Sequence, residues 1–284
     1  MARQDQSGQG EGSRGLGAAP RIDAWEVIGP GGGGTMIEPT ISPHDPGVVV
    51  EHCDMTGAYI TTDGGRSWRM FNLRGVAETF AFDPQDPDVI YAGNMALWRS
   101  EDRGKTWRMI LPDPARNTVE HTTGDHGSGF FASDDDRMDA AGIRVAALAV
   151  DPADSKRLYM VLEDQGPAVW RSEDRGETWS EAGTLAGRRV HAISARADGL
   201  YVVSSAGVDV WMKGEWEHRE GPSGGRIQYA AVGSGPGAEP RVYALTAEEG
   251  GWEPYCGSAY VSEDGGNSWR EVTQRVVASL PAAE

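Results

Sequence analysis

Three things are scarce in this chain of 284 residues, and each scarcity excludes a class of protein. Cysteine occurs twice, at Cys53 and Cys256, so the fold is not built on a disulfide framework. No stretch approaches the ~18 consecutive apolar residues of a membrane span. Basic residues are outnumbered, with 26 Lys and Arg against 43 Asp and Glu. The resulting net charge of −17 argues against a nucleic-acid partner, because phosphates would be repelled.

The N-terminal segment lacks the apolar stretch of a secretory signal. Residues 1–22 are rich in Gln, Gly and Ser, so we expect a disordered tail there and one folded domain over residues 23–284. No Gly-x-Ser-x-Gly, P-loop or dinucleotide fingerprint occurs, and the run Gly31–Gly34 lacks the Lys and the helix of a phosphate loop. We therefore expect no cofactor and no metal.

One octapeptide occurs four times, and its pattern is Ser/Thr-x-Asp-x-Gly-x-Ser/Thr-Trp. The Asp can accept backbone N–H bonds and the Gly can take φ > 0, so together they close a tight turn between two strands. The Trp supplies a large apolar face that can wedge between neighbouring units. We therefore assign structural roles to the aspartates and tryptophans of the repeat, which are Asp63, Asp102, Asp174, Asp264, Trp68, Trp107, Trp179 and Trp269.

A second pattern precedes the octapeptides. At 41–50, 82–91 and 150–159 an apolar strand ends, a Pro/Asp turn follows, and a strand rich in Val, Ile and Tyr begins. A third strand leads into the octapeptide, and a fourth starts at its Trp. Four antiparallel strands per unit form a propeller blade. A unit without the octapeptide, in which Lys213-Gly-Glu-Trp216 makes the turn, brings the count to five blades, with an insertion at about 112–141.

The octapeptides resemble the Asp boxes, or BNR repeats, of sialidase-like β-propellers. This resemblance implies an all-β propeller of four-stranded blades. The segment Ala24–Gly29 is similar to a fourth strand with no blade before it, and only 15 residues follow Trp269. We therefore expect this sequence to be part of a larger ring, for example of seven blades. The alternative is a closed ring of five blades.

Strand alternation assigns the turns to two faces of such a propeller. The box turns lie on one face together with the turns between strands 1 and 2. The turns between strands 2 and 3 and the connections between blades lie on the opposite face, here called the loop face. Long loops on a rigid scaffold are where function is usually found. Polar and aromatic residues collect on this face, namely Asp54, His121, Asp125, His126, Glu163, Asp164, Trp252 and Tyr255.

The first blade carries a second resemblance. The run Gly31–Gly34, the turn Ile41–Pro46 and the segment Asp54–Tyr59 before the first box are similar to the opening of the xyloglucanase family of tandem-propeller glycoside hydrolases. The resemblance implies a polysaccharide substrate, a secreted protein, and a catalytic carboxylate at Asp54. Two departures are plain. The family's second catalytic acid lies in a second propeller, for which this chain has no room, and the blades after residue 110 follow no family pattern.

Glycoside hydrolysis requires two carboxyl groups. Glu163, Asp164 and Asp125 are candidates for the second one, although each is also an ordinary solvated loop acid. Trp252 and Tyr255 could stack on a sugar ring, or anchor their own loop. His121 and His126 could contact substrate or serve a polysaccharide lyase. The alternative to an enzyme is a non-catalytic propeller that binds a protein, peptide or glycan, as sortilin-type receptors and photosystem assembly factors with Asp boxes do.

Overall fold

The computed structural model describes residues 34–55, 57–123, 128–133, 143–162, 168–185, 189–196, 199–233, 240–247 and 257–274. They form five four-stranded antiparallel sheets, in each of which consecutive strands are hydrogen-bonded in chain order. This is the predicted propeller of five blades, with almost no helix. None of the helices in the described ranges is long and apolar enough to cross a membrane.

Each blade contributes four strands in order from the propeller axis outwards. Blade 1 holds β1 Met36–Ile41, β2 Val49–Cys53, β3 Ala58–Thr61 and β4 Arg69–Phe71, and blade 2 holds β5 Thr79–Phe82, β6 Ile90–Gly93, β7 Leu97–Ser100 and β8 Arg108–Leu111. Blade 3 holds β11 Val145–Val150, β12 Leu158–Leu162, β13 Ala168–Ser172 and β14 Ser180–Thr184. Blade 4 holds β15 Val190–Arg196, β16 Gly199–Ser204, β17 Gly207–Met212 and β18 Glu215–Glu220, and blade 5 holds β19 Arg226–Gly233, β20 Arg241–Ala247, β21 Ala259–Ser262 and β22 Arg270–Glu271.

The insertion between blades 2 and 3 contains structure that the sequence did not reveal. A short 3-10 helix, Pro114–Arg116, is followed by the antiparallel hairpin β9 Asn117–Thr123 and β10 Ser128–Ser133. This hairpin occupies much of the insertion.

The Asp box is a turn closed by its own side chains. In blade 1 the carboxylate of Asp63 accepts the N–H of Ser67 at 2.9 Å and the hydroxyl of Ser67 at 2.6 Å. The hydroxyl of Thr61 donates to Asp63 at 2.8 Å and accepts the N–H of Gly65 at 3.0 Å. The same set of bonds recurs around Asp102, Asp174 and Asp264.

The box tryptophans lie just before the fourth strand rather than in it. The strands begin one residue later, at Arg69, Arg108, Ser180 and Arg270. The indoles are partly buried, and three of them donate their N–H to the glycine carbonyl of their own box at 3.0–3.2 Å. Trp269 instead donates to Glu220 of blade 4 at 3.0 Å. An indole that is half exposed keeps its N–H satisfied while its ring packs between blades.

Blade 4 closes its outer hairpin without a box. Met212 and Glu215 face each other across a two-residue turn in which Lys213 has φ 54° and Gly214 has φ 88°. Two consecutive positive φ angles define a type I′ turn, whose twist matches that of the strands it joins. Trp216 follows this turn and donates its N–H to Ala182 of blade 3 at 2.9 Å.

The two faces assigned from strand alternation are present. Box turns bond the neighbouring turns between the first two strands, as in Gly64 N–H to Gly47 at 2.9 Å and Arg103 N–H to Asp88 at 2.9 Å. These turns therefore share one face, and the loop face lies opposite. Consecutive blades are joined by four apolar clusters. Arg69 and Arg219 also reach the box carbonyls of the next blade at 2.6 and 3.0 Å.

Candidate functional site

Asp54 begins the turn between β2 and β3 of blade 1 and is exposed on the loop face. Its Oδ1 accepts the backbone N–H of Thr35 at 2.7 Å, and its own N–H donates to the Thr35 carbonyl at 3.1 Å. The Cys53 thiol lies 3.7 Å from the same Oδ1. Oδ2 receives no hydrogen bond from any residue in the described ranges. The carboxylate is thus held at one oxygen and available at the other.

Gly34 makes this arrangement sterically possible. Its φ is +95°, and a Cβ at this position would lie 2.6 Å from Asp54 Oδ1 and 2.7 Å from the Cys53 sulfur. Both contacts are far below van der Waals distance, so any other residue would displace the carboxylate or the strand end. The last glycine of the Gly31–Gly34 run therefore belongs to the support of Asp54.

Two ionisable residues are buried just before Asp54 on β2. His52 and Glu51 are both more than nine-tenths buried, and His52 Nδ1 and Glu51 Oε1 have no hydrogen-bond partner among the described residues. Burial lowers the pKa of His52, and the negative charge of Asp54 opposes that shift. Burial raises the pKa of Glu51. Both side chains therefore favour their neutral forms. Asp54 is the exposed acid of this segment.

The first strands of the blades place further charges around the propeller axis on the loop face. Glu38 lies in β1 at a break in the β1–β2 register and has φ 55°, a left-handed conformation that non-glycine residues seldom adopt. Glu38 is exposed to solvent, but the protein atoms around its carboxyl displace enough water to raise its pKa; the nearby Glu78 raises the pKa further, and Arg189 opposes both effects. Glu78, directly before β5, pairs with Arg144 at 2.9 Å. Charges from blades 1 to 4 thus influence one another around the axis.

The arginines among these charged residues follow a sequence pattern that is easily missed. Blades 3, 4 and 5 each carry an arginine at the start of the first strand, in Arg144-Val145, Arg189-Val190 and Arg226-Ile227. The signal becomes visible only after the blades are aligned by their strands. Glu38 and Glu78 carry no comparable signal, because an isolated Glu beside a strand is common on any surface.

Several residues predicted to form the site lie outside the described residues. These are Glu163, Asp164, Asp125, His126, Trp252 and Tyr255, so their roles stay predictions. His121 lies on β9, within the hairpin of the insertion. Cys53 is buried at the end of β2. Of the sequence-predicted site, the described structure therefore places Asp54 with its local support.

Comparisons with known proteins agree with the repeat and with the opening of the chain. A model of the BNR-Asp box repeat matches residues 97–110, which include the box of blade 2. A xyloglucanase of Paenibacillus sp is 26% identical over 242 residues, 75% of this chain and 23% of the relative. Xyloglucanase Xgh74A of Acetivibrio thermocellus is 27% identical over 278 residues, 90% of this chain and 27% of the relative. The chain thus spans about a quarter of the length of the curated relatives it matches.

Solved structures show the same fold. An ancestral GH74 enzyme superposes with a TM-score of 0.59 at 20% identity, covering 88% of this chain and 32% of that one. A structure described as YCF48 bound to D1 peptide superposes with a TM-score of 0.50 at 15% identity. The superposition covers 84% of this chain and 69% of that one. Fold, boxes and matches together define a β-propeller with Asp-box repeats. Within that class, most of this chain is similar in sequence to xyloglucanases.

Proposed function

We propose that this propeller belongs to a glycoside hydrolase that cleaves a polysaccharide, with Asp54 as one of the two reacting carboxyl groups. The observation that carries the proposal is the support of Asp54, in which Thr35 holds Oδ1 while Oδ2 accepts no hydrogen bond from the part of the chain that the structure describes. A turn-forming Asp would need only the first of these features. The similarity to xyloglucanases over 75–90% of the chain agrees with this assignment. A polysaccharide substrate also favours an extracellular location.

The chemistry requires one ionised and one protonated carboxyl group. Asp54 would act as the ionised group, either removing a proton from the attacking water or attacking the anomeric carbon itself. The second group would donate a proton to the leaving glycosidic oxygen, and a raised pKa suits that role. Glu38 shares this property with the buried Glu51, but unlike Glu51 it is exposed to solvent, and it lies on β1, which pairs with the strand β2 that ends directly before Asp54. We therefore add Glu38 to Glu163, Asp164 and Asp125 as a candidate proton donor.

The proposal also assigns substrate contacts. Trp252 and Tyr255 would stack on sugar rings, and His121 and His126 would bind substrate hydroxyl groups. The strand order predicted from the sequence assigns all four to the loop face, as it does Asp54. A linear polysaccharide lying across that face would pass the first strands of several blades.

A panel of polysaccharides tests the proposal. Incubation with xyloglucan and other plant-type glucans should release reducing ends, and the Glu38→Gln variant should release them at least tenfold more slowly. The matched control is Glu101→Gln, which changes an exposed acid of a box turn and should keep full activity. Release of 4,5-unsaturated products would instead identify a lyase. Absence of turnover on every substrate would refute the enzyme assignment.

The second candidate function is a non-catalytic propeller that binds a peptide, protein or glycan. The specific observation in its favour is the match to the YCF48 structure with D1 peptide, of which this chain covers 69%. By contrast, this chain covers only 32% of the GH74 enzyme. Saturable binding of a glycan or peptide without any product would support this second candidate.

A further inference from the structure

One arginine position recurs in three consecutive blades. Arg144, Arg189 and Arg226 stand at the start of the first strands of blades 3, 4 and 5, and each is followed by a buried aliphatic residue: Val145, Val190 or Ile227. One bulged residue follows each aliphatic residue, and the register between the first two strands shifts there. Because the register is the same, the three arginines occupy equivalent places where the first strands begin on the loop face.

Backbone hydrogen bonds fix two of these arginines relative to each other. The Arg189 carbonyl accepts the N–H of Ser205 at 2.8 Å, and the Ser205 carbonyl accepts the N–H of Ile227 at 3.1 Å. Ile227 directly follows Arg226, and Ser205 lies in the turn between the second and third strands of blade 4. Arg189 and Arg226 are therefore held at the ends of rigid strands in neighbouring blades, connected through one turn residue.

The bulged residues of the same three blades add no negative charge beside these arginines. They are Ala146, His191 and Gln228. Burial and the charge of Arg189 lower the pKa of His191 to about 4, so its imidazole is neutral at pH 7. The acids Glu38 and Glu78 lie instead on blades 1 and 2. Positive and negative charges are therefore separated around the axis.

Arg189 and Arg226 differ from Arg144 in their partners. The Nε of Arg144 bonds both carboxylate oxygens of Glu78, at 2.9 and 3.1 Å. Arg189 and Arg226 are exposed, and neither side chain forms a hydrogen bond or an ion pair with the part of the chain that the structure describes. Glu38 influences Arg189 electrostatically without pairing with it. Two guanidinium groups on neighbouring blades are thus available to a ligand.

The chemistry of the guanidinium group decides the class of ligand. Its planar fork of N–H donors matches a carboxylate through two parallel hydrogen bonds. The net charge of −17 repels anions from the protein as a whole, so a negatively charged ligand depends on these arginines. Equivalent places on neighbouring blades suit a chain that repeats its carboxylate from one unit to the next. A polyuronate, with one carboxylate on every sugar, is such a chain.

We propose that Arg189 and Arg226 form a subsite for two carboxylate groups of an acidic polysaccharide of the polyuronate class. The chain would cross the loop face, with its carboxylates on blades 4 and 5 and its sugar rings extending toward Asp54 and Glu38 of blade 1. That the ligand is a polysaccharide rests on the proposed function, whereas the recognition of its carboxylates rests on the two arginines. The subsite would favour acidic over neutral chains.

Binding of hexagalacturonate tests the subsite independently of turnover. Isothermal titration calorimetry compares this oligosaccharide with its methyl ester, which keeps the sugars and removes the charges. The ester should bind at least tenfold more weakly, and Arg189→Gln and Arg226→Gln should each raise the Kd for the acid at least tenfold. The matched control is Arg241→Gln, which removes the same charge from the box side of blade 5, where Arg241 pairs with Glu263 at 3.1 Å, and should leave the Kd unchanged. All three side chains are exposed, so the variants should melt with the wild type.

Equal binding of the ester and the acid would overturn the proposal, and so would an equal effect of Arg241→Gln, which would indicate only general attraction. Galacturonic acid or sulfate binding as tightly as the hexamer would show a simple anion site. Hexaglutamate binding more tightly than hexagalacturonate would identify an acidic peptide as the ligand. Arginine-dependent binding without any cleavage would support the subsite and argue against the hydrolase, whereas cleavage of neutral glucans without binding of hexagalacturonate would refute the subsite and support the hydrolase.

Discussion

At the scale of single residues, two aspartates of blade 1 show how similar side chains take different roles. Asp63 accepts hydrogen bonds at both carboxylate oxygens from within its own turn. Asp54 is held at one oxygen by a residue 19 positions away, and its other oxygen accepts no hydrogen bond from the residues that the structure describes. A saturated carboxylate stabilises a turn, whereas one with a vacant oxygen can take part in proton transfer or bind a substrate.

Asp54→Asn should abolish turnover while leaving the fold intact, because the amide oxygen can still accept the Thr35 N–H. The expected loss in kcat is ~10²–10⁴, the usual contribution of a positioned acid or base. Steady-state kinetics on the best substrate of the panel measures it. The control is Asp102→Asn, which should lower thermal stability and leave turnover of the folded protein near normal. The opposite pattern would refute both assignments.

Gly34→Ala should reduce turnover without altering any carboxyl group. Its Cβ would meet Asp54 Oδ1 at 2.6 Å in a backbone conformation with φ +95°. The matched control is Gly214→Ala, where φ is +88° and nothing lies within 4 Å of the added Cβ. Both variants should lose about 1 kcal/mol or more of stability from backbone strain. Only Gly34→Ala should also lower kcat, and equal kinetics in the two variants would argue against a role for Gly34 in placing Asp54.

At the scale of elements, the Asp box is a turn whose stability depends on ionised carboxylates. Hydrogen bonds from Ser67 lower the pKa of Asp63 to about 2, and those from Thr106 lower the pKa of Asp102 to about 2. Unfolded Asp has a pKa of about 3.9. The folded state therefore holds these protons less tightly than the unfolded state does.

Acid should weaken the propeller through its boxes. Because the folded pKa is depressed, the stabilisation is fully present above about pH 4 and is lost as the pH falls toward about 2. Urea unfolding between pH 2 and pH 6 should show this decline. Asp102→Asn should make the free energy of unfolding depend less steeply on pH, since it removes one titrating group. An unchanged slope would show that the box aspartates do not determine the acid sensitivity.

At the scale of the whole molecule, stability comes from the interfaces between blades. An isolated four-stranded sheet leaves both faces exposed, and each apolar cluster of this protein draws its residues from two consecutive blades. Arginines strengthen the same interfaces. Arg219 donates to Gly265 of the next box at 3.0 Å and lies 6.0 Å from the Tyr201 ring.

Tyr201 and Tyr243 provide a matched pair of variants, because both lie on the second strand of a blade opposite a small residue of the first strand, and they are 1% and 50% exposed. Tyr201→Ala should cost about 3 kcal/mol in the 284-residue chain, because it leaves a cavity between blades 4 and 5. Tyr243→Ala should cost less than about 1 kcal/mol in the same chain, because half of its side chain is already exposed. Chemical denaturation of both variants measures the difference. Equal losses would mean that Tyr243 is buried in solution.

The repeating unit of this protein can be predicted from local sequence. The octapeptide and the Pro/Asp turn are local signals, since each turn is closed by side chains within about four residues of one another. The box-free fourth blade could be predicted for the same reason, because Lys213 and Gly214 suffice for its turn. Asp54 was found through resemblance, because its support comes from Thr35 and Gly34, which precede β1, whereas Asp54 follows β2, 19 residues after Thr35.

Only the tertiary structure decided the surroundings of the site and the state of the blade faces. Glu38, Glu78 and Arg189 come from three blades, and their mutual influence depends on how the first strands surround the axis. The hairpin β9–β10 has no apolar alternation from which it could be predicted. Tyr243 has the same local sequence environment as Tyr201, and its exposure differs because burial depends on the next blade. A local pattern specifies a blade, whereas contacts between blades specify what each blade buries.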